Sequence, residues 1–145
     1  MLNNAEVVKN LKRANRVEAS AKGFSAEIHR ICKLYDDVKY LKYFYHAIPD
    51  LPDQYLDELS AWVDAQIAPL KPKLETLQSY ASALRSYTYN NSDDENDRIW
   101  GEWIGKCDEK ELGSFDPAEI DTLMSQGTEY LAENVQEHPE LKELL

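Results

Sequence analysis

Apolar residues recur every seven positions along most of the first ninety residues. Val7, Ala14, Ala21, Ile28 and Tyr35 occupy one heptad position, and Val17, Phe24, Ile31, Val38 and Tyr45 its partner. A second run comprises Leu56, Val63, Leu70, Leu77 and Leu84, flanked by Leu59, Ile67, Leu74, Ala81 and Tyr87. A seven-residue apolar period specifies long helices with a continuous seam, packed in the manner of a coiled coil.

The first run predicts a helix from about Asn4 to Ala47, roughly 65 Å long at about 1.5 Å rise per residue. Gly23 interrupts it as a poor helix former, but the apolar phase survives across it, so one long helix is expected. Ile48-Pro49-Asp50-Leu51-Pro52 reads as a turn. The second run predicts a helical region from Pro52 to Tyr87. Pro69 and Pro72 should kink or break it, with the same face buried on both sides. The short connection makes the pair an antiparallel hairpin.

Residues 89–97, opened by Thr88 and rich in Asn and Asp, read as an acidic loop. Beyond it Ile99, Trp100, Trp103, Ile104 and Cys107 recur at helical spacing. Asp116, Pro117 and Glu119 then form an N-terminal helix signature, continued by Ile120, Leu123, Met124, Tyr130, Leu131 and Val135. No stretch alternates in the manner of a strand. The expected fold is all-α and a single domain over 1–145. A long hairpin (1–88) precedes the acidic loop (89–97) and two or three shorter acidic helices (98–145).

Composition narrows the picture. The chain has 145 residues and a net charge of −11, enough length for a real core without disulfides or metal. Residues 1–47 carry nine Lys/Arg against five Asp/Glu, a net of +4; residues 90–145 carry four against sixteen, a net of −12. Such asymmetry predicts that the two ends attract each other, or that the acidic end meets a basic partner. The first residues show no apolar signal region, and nothing approaches the roughly 20 apolar residues a membrane helix needs. Two distant cysteines, Cys32 and Cys107, fit a reduced, cytoplasmic setting.

Residues 100–124 resemble an EF-hand helix-loop-helix: Asp108 at loop position 1, Gly113 at 6, Phe115 at 8 and Glu119 at 12. Calcium binding is not expected, because Lys110 and Leu112 stand where oxygen ligands belong. His29, Cys32 and Asp36 can share a helix face, but a half-buried cysteine between solvated neighbours explains them better than a metal does. No Gly-rich phosphate loop, HExxH or G-x-S-x-G occurs. No metal, cofactor or catalytic residue is therefore assigned.

The remaining candidates are surfaces. Lys9, Lys12, Arg13 and Arg16 form a basic face on the first helix, a possible phosphate contact that the net charge opposes. Tyr40, Tyr43 and Phe44 belong to an aromatic cluster at the end of that helix. Trp100 and Trp103 lie beside Asp93, Asp94, Glu95, Asp97 and Glu102, and aromatics with acidic neighbours suit an interface that meets a basic partner. The expected function is that of a non-catalytic protein-binding adaptor or inhibitor, with mimicry of nucleic acid as one form. The alternatives are assembly by coiled-coil oligomerisation, including a homodimer, and nucleic-acid binding through the basic helix.

Overall fold

The computed structural model describes residues 1–145. Helix α1 runs unbroken from Asn4 to Tyr43, about 60 Å at about 1.5 Å per residue. The Asn3 carboxamide caps its start by accepting from the Glu6 N–H at 2.9 Å. It ends four residues before the expected Ala47. His46 adopts φ 53, the left-handed region that His tolerates better than most residues. The last carbonyls are closed by wide bonds from Tyr45 N to Tyr40 O (3.0 Å) and from Ala47 N to Leu41 O (2.9 Å).

The second helical region is two helices, α2 (Asp53–Ile67) and α3 (Leu70–Asn90). Pro69 makes the break, because it has no N–H to continue the ladder. Pro72 causes none, since it sits in the first turn of α3, where N–H groups lack intrahelical partners anyway. The same face is buried on both sides of the break, through Leu56, Val63, Ile67, Leu70, Leu77 and Leu84. Helices α2 and α3 together run antiparallel to α1, completing the long hairpin.

The acidic loop is shorter than expected. Helix α3 continues to Asn90 and α4 (Glu95–Ile104) starts at once after a four-residue turn. Ser92 is fully buried in that turn. Its hydroxyl donates to Asp97 Oδ2 (3.0 Å) and accepts from the Asp94 N–H (3.1 Å). Arg98 donates to its carbonyl at 3.1 Å, and Leu2 pairs across it through Leu2 N to Asn91 O (2.7 Å) and Asp93 N to Leu2 O (2.8 Å). The turn is thus a hydrogen-bonded knot tying the start of α1 to the end of α3, and its Ser and Asp side chains are the groups that tie it.

A single helical turn, α5 (Glu109–Leu112), and α6 (Pro117–Asn134) follow, with a 3-10 turn at Pro139–Leu144. Asp116 caps α6 by accepting from the Ala118 N–H at 3.1 Å. Helix α6 lies parallel to α1 and covers its middle, with Asp121 beside Arg13, Thr128 beside Ser20 and Tyr130 edge-on to Phe24. Gly23 therefore has a purpose that local propensity hides. A Cβ on it would stand 1.9 Å from the Gly127 carbonyl oxygen, and one on Gly127 would stand 2.2 Å from the Ser20 carbonyl oxygen. The two backbones touch there, which only glycine permits.

The core is the three-helix seam of α1, α3 and α6, built on Val17, Phe24, Leu77, Ala81, Ile120 and Leu123. Polar clamps hold its outer edges. Arg85 donates to both carboxylate oxygens of Glu18 (2.8 and 3.0 Å), and Arg13 donates to the Tyr80 hydroxyl at 3.0 Å. Beyond Ile31 the third helix stops, and α1 continues with α2 alone as a two-helix arm. No helix is long and apolar enough to cross a membrane.

Candidate functional site

Helix α4 is amphipathic in the wrong sense for a packed helix. Only Gly101 is buried; a Cβ there would meet the Asn90 amide nitrogen at 2.7 Å and the Asn90 backbone nitrogen at 3.0 Å. With 3.6 residues per turn, Asp97 and Gly101 face α3, Ile99 and Trp103 fall on the opposite side, and Trp100 lies on the flank between them. Trp103 is 82% exposed and Trp100 56%. Asn90 fixes the end of the helix by donating to the Gly105 carbonyl (3.1 Å) and accepting from the Cys107 N–H (3.0 Å). Gly105 makes the exit at φ 119, a conformation that L side chains rarely adopt. The tryptophans are thus presented by a helix that is tightly anchored on its back.

The acidic candidates divide by what their carboxylates do. Asp94 is the N-cap of α4 and accepts from the Asp97 N–H at 3.1 Å. Asp97 is turned inward to the Ser92 hydroxyl. These two build the turn, although Asp94 remains exposed. Asp93, Glu95 and Glu102 are exposed and border the tryptophans.

The aromatic cluster lies at the far end of α1, on the tip of the arm, so the two sequence-assigned aromatic patches stand at opposite ends of the molecule. Tyr40 and Phe44 stack on each other with ring centroids 5.0 Å apart, and Phe44 is 66% exposed. Tyr43 is instead a pin. Its hydroxyl donates to Asp53 Oδ1 at 2.5 Å, where Lys42 also donates at 2.6 Å. Lys42 and then Tyr43 hold the Asp53 carboxyl below its ordinary pKa, and Asp53 in turn raises both partners.

The basic face loses a member. Arg13 turns to Tyr80 and Asp121, and these partners, Tyr80 first, favour its charged form. Lys9, Lys12 and Arg16 stay exposed and line a shallow hollow with Ala5 and Val8. The Asp108 carboxylate caps α5 by accepting from the Glu111 N–H at 2.7 Å, so a helical turn occupies the start of the stretch that resembles an EF-hand loop. His29 stacks edge-on with His138 at 5.9 Å, across α1 and the chain beyond α6. No group of three or more His, Cys, Asp or Glu side chains is placed to hold a metal ion.

The largest concavity is an open groove of about 1060 Å3 between α3 and the α4–α6 connection, lined among others by Ser79, Ser82, Ser86, Lys106 and Cys107. The Cys107 thiol is buried, and burial, then the charge of Glu111, pushes its pKa up. The groove is lined beside the thiol by the carboxylates of Asp108 and Glu111, whose charge favours the protonated thiol over the thiolate.

Sequence reasoning missed Leu34 and Leu41 as exposed apolar residues on the arm. The spacing Arg13, Ser20, Glu27, Leu34, Leu41 was the available signal: one heptad position, off the seam, that turns from polar to apolar beyond Glu27. No family model, curated protein or solved structure matches the chain.

Proposed function

We propose that this protein is a non-catalytic binding protein, an adaptor or inhibitor, that docks a basic partner through the outward face of α4. The observation that carries this reading is the inversion of α4. Ile99, Trp100 and Trp103 point to solvent while the helix is anchored through Gly101 and Asn90. Tryptophans held rigidly at the surface are characteristic binding anchors, because little conformational entropy is left to lose on association. Asp93, Asp94, Glu95 and Glu102 border them, and carboxylates at a rim steer a cationic surface and raise its on-rate.

The apolar strip of Ile99, Trp100 and Trp103 has Glu95 and Glu102 along one flank and Asp93 and Asp94 at its N-terminal end. That arrangement favours a protein partner with an apolar groove and basic edges over mimicry of a phosphate backbone. Burial and the charge of Glu111 hold the Cys107 thiol protonated, which argues against a cysteine nucleophile in the large groove.

The test is affinity capture from the native cell lysate with wild type and the Trp100→Ala/Trp103→Ala variant, after nuclease treatment and with elution by a salt gradient. A basic protein retained by wild type, released at moderate salt and missing from the variant is the expected result. Identical captures from both would remove α4 as the docking face. The variant should lose no more than about 0.5 kcal/mol of stability, the usual range for exposed positions, so lost capture is not lost folding.

A further inference from the structure

The arm carries the start of a third-helix slot with no helix in it. Helix α6 covers α1 along Arg13, Ser20, Gly23 and Glu27, and stops at Asn134, where Arg30 feels the charges of Glu133 and Glu137. The same heptad position continues on α1 as Leu34 and Leu41, both exposed. Across from Leu34, α2 supplies Trp62, which forms with Ile31, Asp37 and Glu137 a cleft of about 230 Å3. Tyr55, seven residues before Trp62, shares its helical position, and Phe44 carries the strip to the tip. Leu34, Leu41, Phe44, Tyr55 and Trp62 are each at least two-fifths exposed.

We infer that this strip is the interface with a second copy of the chain: two arms pack together as a four-helix bundle, each filling the other's missing layer. Two observations favour a copy over a foreign partner. The first is area. Aromatic side chains bury about 150–250 Å2 each, so half-exposed Tyr40, Phe44, Tyr55 and Trp62, with Leu34 and Leu41, offer roughly 600 Å2 of apolar surface. That is most of the ~800 Å2 per partner of a stable interface, and it stands at the upper bound of the apolar patch a monomer ordinarily leaves exposed. The second is charge. An isologous contact sets a patch against itself, so its charges must include both signs. The cleft has Arg30 and Lys33 against Asp37 and Glu137. The rim of α4, bordered by carboxylates, would instead repel its own copy. The dimer does not depend on the reading of α4.

The experiment is sedimentation equilibrium of the full chain from about 1 µM to about 200 µM, at low and high salt. The expected result is a mass rising from 16.7 kDa to twice that with little salt dependence. Leu34→Glu/Leu41→Glu and, separately, Trp62→Ala should remain monomeric with unchanged helical circular dichroism, and Trp100→Ala/Trp103→Ala should dimerise as wild type does. A wild type that is monomeric throughout overturns the inference. So does a dimer that survives both arm variants or is lost with the α4 variant. If an arm variant unfolds, hydrogen exchange of wild type across the same concentrations decides. Protection gained in residues 31–43 and 53–67 supports the interface, and protection gained elsewhere overturns it.

Discussion

At Gly127 a single methyl group decides whether α6 can lie on α1. A Cβ there would stand 2.2 Å from the Ser20 carbonyl oxygen, and neither backbone can yield as a flexible side chain would. Gly127→Ala should therefore destabilise the fold by about 3 kcal/mol or more, at the upper end of overpacking, although alanine is favoured in a free helix by about 1 kcal/mol. Urea unfolding checks this, with Gly113→Ala as the control. Gly113 has φ −69 and ends a one-turn helix, and a Cβ there meets its nearest atom, the Glu109 carbonyl oxygen, at 3.1 Å; a change within about 0.5 kcal/mol is expected. A second residue-scale prediction concerns the thiols. Burial and Glu111 hold Cys107 protonated, whereas Cys32 is only half-buried, so iodoacetamide at neutral pH should modify Cys32 first, as peptide mass mapping would show. Periodicity finds residues that face a seam, but it cannot see a partner a hundred positions away. Gly23 therefore looked like a flaw in α1, and Arg13, Asp94 and Asp97 looked like free surface charge when each was committed to a neighbour.

The helices were the most legible elements, because seven-residue spacing and capping side chains act locally. Asp116 and Pro117 marked the start of α6, and the heptads marked the buried face of α2 and α3 across Pro69. Less legible was which way a short helix would turn. Helix α4 has a clear apolar face, and the default places such a face inward; the close approach at Gly101 reverses it, and that contact depends on Asn90 of another helix. Helix ends were legible only where a side chain or a proline fixed them. The end of α1 is set by the backbone at His46 and by a contact across the turn, from Lys42 and Tyr43 to Asp53. That contact predicts a pH response. Because the Asp53 carboxyl titrates lower in the folded tip than its ordinary value of about 3.9, the contact is complete above that value and is lost as pH falls through the lowered one. Titrating the Tyr43 ring signals by NMR should show an acid transition displaced downward, and Asp53→Asn should abolish it. A transition at the ordinary carboxylate pKa would mean the contact does not form in solution.

At the scale of the whole molecule, the charge asymmetry is partly spent inside the fold. Acidic α6 lies on basic α1, with Asp121 on Arg13 and Glu133 and Glu137 near Arg30. The carboxylates around α4 have no such counterpart and give the acidic end its field. Burial is just as uneven along α1. Its first thirty residues are covered by α3 and α6 and contain the fully buried Val17 and Phe24. Its last dozen are covered by α2 alone and leave Leu34, Tyr40 and Leu41 partly in water. Local opening requires little free energy where few apolar contacts break, so the arm should open without the core. Hydrogen exchange at dilution, where no second copy covers the strip, should show amides of residues 34–43 and 53–66 exchanging at least about tenfold faster than those of 14–28 and 77–85, a gap of about 1.4 kcal/mol. Equal protection along α1 would mean that two helices alone stabilise the arm as well as three stabilise the core, and the uncovered strip would then need no partner on energetic grounds.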